Sequence, residues 1–300
     1  MEQAVAQKVR FSYSTADQPF IQRAVIQAIE KLGGQRKLKK LYVRHQENLE
    51  RGANFFDSAV NLLRINVDFD GAALAEVPRT GPVLFISNHP YGVLDGITLT
   101  WLALKVRPDT KVLANDVLCQ DPDAAKSLLP VAFAPTREAR ETNVRSRIEA
   151  QQCLKAGGAV GIFPGGGVST SERPHRGMAM DLPWAPFTSK LVRMSQATVV
   201  PVFFTGQNSR LFQMASHLSL TLRLSLVFRE TARRIGTDLR VRVGKPIAFS
   251  EIAHLDREDM IRELRKRTYA LAQPQDIKGP AQDLHLRHGR IKGWKPGHAE

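Results

Sequence analysis

Hydrophobic residues recur at helical spacing near the start of the chain and at strand spacing further along. Across residues 19–32 the apolar positions fall three or four apart, which predicts an amphipathic helix that ends at Gly33 and Gly34. A second segment of the same period predicts one longer helix through Leu41, His45, Leu49, Phe56, Ala59 and Leu63. The chain therefore begins with a pair of amphipathic helices.

After Arg64 the period changes to two, because Ile65, Val67 and Phe69 alternate with polar residues, and a strand is expected there. Further apolar runs predict strands at residues 83–87, 112–114, 131–134, 159–163, 199–204 and 239–243. Helical patterns lie between several of them, at residues 94–106 and 142–156. This alternation predicts an α/β fold with a mixed, mostly parallel central sheet flanked by helices.

The C-terminal third is less regular. Residues 211–229 are ambiguous, because RLFQMASHL has a helical period whereas LSLTLRLSLVF alternates like a strand. Residues 258–271 predict a charged helix, and the chain from Pro274 onward is rich in Gly, Pro, His and basic residues, which predicts a mobile tail. We divide the chain into an N-terminal helical region (1–64), an α/β domain (65–250) and a C-terminal helix with a basic tail (251–300).

Charge adds a constraint on partners. The 300 residues contain 43 Lys and Arg against 29 Asp and Glu, a formal net charge of +14. Such a surface favours nucleic acid, anionic lipid head groups or phosphorylated metabolites. Two cysteines exclude a disulfide scaffold, and the spacing of His285 and His288 does not indicate a metal site. No apolar run reaches the roughly 18 residues of a membrane-spanning helix, so we expect the chain to lie on a membrane at most.

The first of three unusual loops follows the strand VLFIS and contains Asn88, His89 and Asp95. On a continuous helix His89 and Asp95 would lie about 240° apart. Pro90 and Gly92 instead favour a turn that brings the carboxylate back to the imidazole. A histidine oriented by a carboxylate can act as a general base near neutral pH. Taken alone, however, the pair fits a helix cap with a satisfied histidine better than catalysis.

The second and third loops suggest anion binding. Arg137 follows a predicted strand and could hold a phosphate with two hydrogen bonds, although a surface arginine fits the charged run REARE better in isolation. The third loop, FPGGGVST, has three glycines after a strand, where backbone amides can approach an anion closely. Arg173 and Arg176 lie just beyond it. The glycine spacing does not match the phosphate-loop or dinucleotide-binding patterns. The chain also lacks a Gly-x-Ser-x-Gly nucleophile elbow, which disfavours a serine hydrolase.

In this order, the loops resemble the motifs of the glycerolipid acyltransferases, the lysophosphatidic acid acyltransferase-like superfamily. The first motif is Asn-His followed by Asp, the second an Arg at a strand end, and the third Phe-Pro-Glu-Gly followed by Ser. These are matched at Asn88, His89, Asp95, Arg137, Phe163, Pro164, Gly166 and Ser169. The fourth motif, Val-Pro-Val ending in Gly, is matched at Val200, Pro201, Val202 and Gly206. The resemblance covers about residues 65–250.

Two departures from the family pattern matter. Five residues separate His89 from Asp95 where the family has four, and we expect Gly92 to absorb the additional one. Gly165 stands where the family has Glu, which leaves the identity of the acceptor lipid open.

The resemblance implies transfer of a fatty acyl group from acyl-CoA or acyl carrier protein to the hydroxyl of a lysophospholipid, lysophosphatidic acid by default. A lyso-lipid without glycerophosphate, such as lyso-ornithine lipid, is the alternative. It implies His89 as general base and Asp95 as its partner, with no cofactor or metal. The expected substrate-binding residues are Asn88, Arg137, Phe163, Pro164, Gly165, Gly166, Gly167 and Ser169.

The family and the charge together predict a peripheral protein at the cytoplasmic face of the membrane. The helix at residues 19–32 and the cluster Arg36, Lys37, Lys39 and Lys40 would face an anionic surface. A basic nucleic-acid-binding protein is the alternative of another class, but no binding module appears and aromatic residues are only 7% of the chain. A lipid- or carrier-binding protein without catalysis is the third hypothesis, suggested only by Gly165.

Overall fold

The computed structural model describes residues 12, 14, 19–49, 54–133, 136–276 and 284–292. The strands are β1 (Asn66–Phe69), β2 (Val83–Ser87), β3 (Lys111–Asn115), β4 (Leu128–Val131), β5 (Ala159–Ile162), β6 (Thr170–Arg173), β7 (Arg176–Met180), β8 (Thr198–Phe204) and β9 (Asp238–Val243). The helices are α1 (Phe20–Leu32), α2 (Gln35–Leu49), α3 (Phe55–Leu62), α4 (Gly71–Ala75), α5 (Val93–Val106), α6 (Pro122–Ala125), α7 (Arg137–Lys155), α8 (Phe187–Ser195), α9 (Arg210–Leu218), α10 (Leu220–Ser225), α11 (Val227–Arg233), α12 (Phe249–Ile252) and α13 (Arg257–Tyr269).

Seven strands form the central sheet, in the order β1-β9-β8-β2-β5-β3-β4. From β8 to β4 the neighbours are parallel, whereas β9 is antiparallel to β8 and parallel to β1. The strands β6 and β7 form a separate antiparallel hairpin. The predicted α/β fold with a mixed, mostly parallel sheet and flanking helices is confirmed.

Helices cover both faces of the sheet, so the central strand β2 is buried along its whole length. Val83 and Phe85 belong to a hydrophobic core that includes side chains of α3, α5 and α11. Leu84 and Ile86 belong to a second core with side chains of α7, α8 and α13. Alternate residues of a strand project to opposite faces, so an unbroken apolar strand requires an apolar layer on each side.

The predicted strand at residues 131–134 is wrong in its bounds. β4 ends at Val131, and Ala134 lies outside the described residues. The side chain of Asn143 accepts a hydrogen bond from Ala132 N at 2.8 Å and donates one to Ala132 O at 3.0 Å. Because Asn143 satisfies both backbone groups, the chain can leave the sheet at this point. α7 begins before the predicted helix at residues 142–156.

The second N-terminal helix predicted from the apolar period is two helices. α2 ends at Leu49, α3 begins at Phe55, and residues 50–53 lie outside the described part of the chain. Asn54 caps α3, since its side chain accepts a hydrogen bond from Asp57 N at 2.9 Å. The apolar period continues from one helix to the next, which is why the pattern alone joined them.

The ambiguous residues 211–229 fall in α9, α10 and α11, not in a strand. Leucine and arginine are good helix formers. Arg223, at the centre of this stretch, is buried, and its Nη1 donates to Thr170 Oγ1 at 2.6 Å. The hairpin β6-β7, with its turn at residues 174–175 and an exposed tip at residues 172–177, was not predicted, because its strands have no alternating pattern.

The basic C-terminal segment, predicted to be mobile, packs on the domain at residues 284–292. Leu284 and Ile291 are buried. The guanidinium of Arg265 donates to the carbonyl groups of His285 and Arg287, each at 2.8 Å. Two apolar anchors and these hydrogen bonds hold the segment despite its polar composition. Residues 277–283 and 293–300 lie outside the described part.

The outer face of α1 is apolar. Phe20 is 81% exposed and Ile21 is 76% exposed, whereas Ile26 on the inner face is buried. Gln22 joins α1 to α10, since its Nε2 donates to Thr221 Oγ1 at 2.7 Å. The cations Arg36, Lys37, Lys39 and Lys40 of α2 are all exposed. Across the described residues, no helix has both the length and the apolar character to span a membrane.

Candidate active site

His89 and Asp95 meet in the loop that joins β2 to α5. Nδ1 of His89 lies 3.1 Å from Oδ2 of Asp95. The same carboxylate oxygen accepts hydrogen bonds from the backbone amides of Tyr91 at 2.7 Å and Gly92 at 2.9 Å. A carboxylate at Nδ1 favours the tautomer with its proton there, which leaves Nε2 available as a base.

Gly92 makes this turn possible. Its φ is +82°, and a Cβ at this position would lie 2.9 Å from Val168 Cγ2. A side chain would therefore meet both backbone strain and a steric contact. The additional residue between His89 and Asp95 is accommodated in a turn that includes this glycine.

The two partners differ in their access to solvent. Burial of Asp95 raises the pKa of its carboxyl group above the usual value, and the contact with His89 opposes that shift. The side chain of Asp95 is fully buried, whereas that of His89 is 17% exposed. A substrate can therefore reach the imidazole while the carboxylate stays hidden behind it.

The glycine loop after β5 packs against His89. The ring of Phe163 stacks on the imidazole, with 4.1 Å between centroids and 28° between planes. Ser169 N donates to His89 O at 2.7 Å. Gly166 has a φ of +66°, and its amide closes a turn by donating to Phe163 O at 2.9 Å. Gly167 beside it is half-buried.

Asp181, which the sequence analysis does not single out, connects the two loops. Its carboxylate is fully buried, and Oδ1 accepts hydrogen bonds from His89 N at 3.0 Å and Ser169 Oγ at 2.5 Å. Oδ2 accepts one from Trp184 Nε1 at 2.9 Å. A Cβ built on Gly165 would lie 2.9 Å from Asp181 Cβ. Asp181 thus occupies the space that a side chain at position 165 would need.

Asn88, directly after β2, and Gly206, after the neighbouring strand β8, fix the geometry where the two strands end. Asn88 is 4% exposed; its Nδ2 donates to Phe204 O at 2.9 Å and its Oδ1 accepts from Phe204 N at 2.7 Å. These bonds tie the end of β2 to the end of β8. Gly206 has a φ of +91°, and a Cβ there would lie only 2.0 Å from Tyr91 Oη. Gly206 therefore makes room for Tyr91.

Sequence comparison then decides the family. The family model described as acyltransferase matches residues 54–278, three quarters of the 300-residue chain. The chain belongs to the acyltransferase family. The His89 loop, the glycine loop and Asp181 all lie inside the matched region. The resemblance to acyltransferases inferred from the four motifs is confirmed.

Two curated relatives of this acyltransferase have the same description. A lyso-glycine lipid O-acyltransferase from Phocaeicola vulgatus is 25% identical over 242 residues, which cover 77% of this chain and 81% of the relative. A lyso-glycine lipid O-acyltransferase from Bacteroides thetaiotaomicron is 24% identical over 239 residues, covering 77% and 83%. Among solved structures, the 1-acyl-sn-glycerophosphate (LPA) acyltransferase PlsC from Thermotoga maritima matches with a TM-score of 0.47 and 15% identity, over 86% of this chain and 82% of that one.

Arg137 of the acyltransferase lies apart from His89. It begins α7 after the edge strand β4, and two strands separate β4 from β2 in the sheet. Its side chain is 81% exposed, and Nε donates to Glu141 Oε1 at 2.7 Å. Arg173 and Arg176 are exposed and lie at the ends of β6 and β7 that flank the turn of the hairpin. Within the described residues, the site thus brings together the first, third and fourth motifs, without the arginine of the second.

Pro164 and Gly165, the remaining predicted residues, are the buried part of the glycine loop. Pro164 O accepts a hydrogen bond from Ala185 N at 2.9 Å. The sequence did contain a signal for Asp181. It is the single charge in the run GMAMDLPW, and a buried charge requires hydrogen-bonding partners. This signal indicates Asp181 as a site residue only when it is considered together with the missing glutamate at position 165.

Proposed function

We propose that this acyltransferase moves a fatty acyl group from a thioester donor, acyl-CoA or acyl carrier protein, to the hydroxyl of a lyso-lipid with an amino-acid head group. The observation that carries the proposal is the contact between His89 Nδ1 and Asp95 Oδ2. It supplies an oriented base, and the neighbouring Ser169 is buried with its hydroxyl donated to Asp181, which suits direct attack by a substrate hydroxyl.

The reaction follows from this arrangement. Nε2 of His89 removes the proton from the acceptor hydroxyl as its oxygen attacks the thioester carbonyl carbon. The buried carboxylate of Asp95 stabilises the imidazolium that forms. The tetrahedral intermediate collapses as the carbon–sulfur bond breaks, and the imidazolium returns its proton to the departing thiolate. The products are an ester and a free thiol, and His89 is again neutral.

The oxyanion of that intermediate requires hydrogen-bond donors. The amides of Tyr91 and Gly92 are already committed to Asp95, and that of Gly166 to Phe163. We therefore assign this role to the amide of the half-buried Gly167, in the loop that packs against the imidazole.

Two observations support an amino-acid head group over lysophosphatidic acid. The two curated relatives are lyso-glycine lipid O-acyltransferases, so they favour an acceptor without glycerophosphate. Arg137, the residue expected to hold a phosphate, is exposed and paired with Glu141. An acceptor with a single carboxylate needs no separate phosphate clamp.

The acceptor lipid resides in the membrane, and the exposed side chains of α1 suit the same surface. We propose that Phe20 and Ile21 enter the interface while Arg36 and Lys37 contact anionic head groups. This would place the site at the membrane surface, where its acceptor resides.

The acceptor is tested with purified protein, acyl-CoA or acyl carrier protein as donor, and three acceptors: lyso-glycine lipid, lyso-ornithine lipid and lysophosphatidic acid. We expect ester formation, with release of one thiol per ester, to be fastest with the amino-acid lipids. A clear preference for lysophosphatidic acid would overturn the assigned head group. Thiol release without any acceptor would indicate a thioesterase.

The base is tested by His89→Ala. We expect a loss of about 10²- to 10⁴-fold or more in kcat with an unchanged fold, because the variant lacks the base that removes the hydroxyl proton. His175→Ala, in the exposed turn of the hairpin, is the matched control and should retain full activity. Near-native transfer by His89→Ala would contradict the mechanism.

A further inference from the structure

A cavity of about 660 Å³ lies along the edge strand β1, next to the end of β8 and the loop that carries His89. Its charged lining residues are Asp68, Arg234, Asp238 and Arg240, and Tyr91 also lines it. The mechanism above uses none of these side chains. The cavity is nevertheless adjacent to the catalytic loop, because Tyr91 belongs to both.

The two arginines that line this cavity differ: among the described residues Arg240 is ion-paired and Arg234 is not. Arg240 Nε lies 3.0 Å from Asp68 Oδ2, and its Nη1 lies 3.7 Å from Asp276 Oδ1. Asp238 Oδ1 accepts a hydrogen bond from Asn66 Nδ2 at 2.9 Å. The half-buried guanidinium of Arg234 has no carboxylate within ion-pair distance among the described residues.

Arg234 is held in place by neutral groups. Its guanidinium carbon lies 4.2 Å from the centroid of the Tyr91 ring, in a cation–π contact. Nη2 donates to Tyr91 Oη at 2.7 Å and to Gln207 O at 3.3 Å. An arginine fixed in this way keeps further donors for a ligand, and its planar group matches a carboxylate with two parallel hydrogen bonds.

Tyr91 connects this cation to the catalytic pair. Its ring is buried, its hydroxyl donates to Thr205 O at 2.8 Å, and its amide donates to Asp95 Oδ2. Burial raises the pKa of Tyr91 to about 12, so the hydroxyl stays protonated and continues to bridge Arg234 and Thr205. Tyr91 therefore fixes the position of a group bound by Arg234 relative to the loop that carries His89.

We infer that Arg234 binds the head-group carboxylate of the acceptor lyso-lipid in this cavity. The inference rests on the proposed function and assigns the part of the molecule that recognises its acceptor. One unpaired guanidinium matches one carboxylate. A doubly charged phosphate fits less well, because Asp238, which has no cationic partner among the described residues, also lines the cavity and repels a double charge more strongly than a single one.

The test changes both the protein and the ligand. Lyso-glycine lipid and the methyl ester of its carboxylate are compared as acceptors for the wild-type protein and for Arg234→Gln. The wild-type protein should show a KM for the ester about tenfold to a hundredfold higher, because the ester removes the charge-assisted bond. Arg234→Gln should show the higher KM for both acceptors and no longer distinguish them.

Three further variants separate binding from structural effects. Arg234→Lys keeps the charge and should recover part of the discrimination. Arg233→Gln removes a neighbouring exposed charge and should match the wild type. Tyr91→Phe removes the hydroxyl that Arg234 contacts but leaves the guanidinium, so it should still prefer the acid over the ester.

The outcomes are distinguishable. If wild-type protein acylates neither lyso-glycine lipid nor lyso-ornithine lipid, the proposed acceptor and this inference both fail. If it acylates one of them, but Arg234→Gln still prefers that acid over its methyl ester by the wild-type factor, the inference alone fails. A fall in kcat with unchanged KM values in both Arg234→Gln and Tyr91→Phe would also overturn it, because Arg234 would then act only by positioning Tyr91.

Discussion

The carboxylate of Asp181 lies where a side chain on Gly165 would project. A Cβ at Gly165 would be 2.9 Å from Asp181 Cβ and 3.3 Å from Asp181 Cγ. The acyltransferases that this chain resembles have a glutamate at that position. Here the acid comes from the segment after β7 and accepts hydrogen bonds from His89 N, Ser169 Oγ and Trp184 Nε1. The missing glutamate is thus accompanied by a buried acid with a positioning role.

The exchange of these two residues can be tested directly. Asp181→Gly should lower the free energy of unfolding by at least about 1–3 kcal/mol, because its buried donors lose their acceptor. Gly165→Glu alone should also destabilise the fold, because Asp181 leaves no room for the side chain. The double variant Gly165→Glu/Asp181→Gly should recover part of both losses, since a carboxylate enters the same space from the other segment.

Urea unfolding of the four proteins forms a double-mutant cycle, in which non-additivity measures the coupling. Gly71→Glu serves as the control, because a Cβ at Gly71 meets no heavy atom within 4 Å. It should behave additively with Asp181→Gly. Additive effects of Gly165→Glu and Asp181→Gly would show that the two positions do not share one volume.

Asp95→Asn should separate activity from stability. Activity should fall by about 10²- to 10⁴-fold, because the neutral amide cannot stabilise the imidazolium of His89. The pKa of Asp95 is raised in the native state, so the native protein binds its proton at a higher pH than the unfolded chain does. The ionised carboxyl therefore costs stability above that raised pKa.

Asp95→Asn should accordingly be more stable than wild type near neutral pH, and the difference should shrink as the pH falls toward about 4. Urea unfolding across that range measures it. Asp109→Asn should change the stability in the opposite direction, because contact with Arg107 lowers the pKa of Asp109. That variant should be less stable at neutral pH, by an amount that also shrinks in acid. A stability difference for Asp95→Asn that does not change with pH would contradict the raised pKa.

The parts of the site that the sequence predicts are local. The strand VLFIS, the turn at Gly92 and the return of Asp95 to His89 all lie within a short stretch of chain, and each follows from residue types with known backbone preferences. The mostly parallel sheet also follows from local alternation of apolar strands and helical periods.

The parts that were missed depend on distant contacts. Asp181 reaches the amide of His89 across 92 positions of sequence, through a hairpin without an alternating pattern. Arg234 reaches Tyr91 across 143 positions. The strand β4 ends early because Asn143, on the following helix, satisfies the backbone of Ala132. Periodicity reports which face of an element is buried, and it contains no information about such pairings.

Arg137→Ala should have little effect on the acceptor. The side chain is exposed and its ion pair with Glu141 lies at the surface, so the free energy of unfolding should change by less than about 0.5 kcal/mol. The KM for lyso-glycine lipid should change by less than about twofold, in contrast to Arg234→Gln. Steady-state kinetics with both lyso-glycine lipid and lysophosphatidic acid provide the measurement. A tenfold higher KM for lysophosphatidic acid alone would return Arg137 to a phosphate-binding role.

Membrane contact through α1 should depend on its two most exposed N-terminal side chains. Phe20→Ser/Ile21→Ser should weaken co-sedimentation with anionic vesicles at least about tenfold, because burial of each side chain contributes roughly 1.5–3 kcal/mol. Higher salt should weaken binding further, since Arg36 and Lys37 act by charge. Val144→Ser/Ile148→Ser, an exposed apolar pair on α7, is the matched control. Loss of binding in that control, with normal binding by the α1 variant, would move the membrane contact to α7.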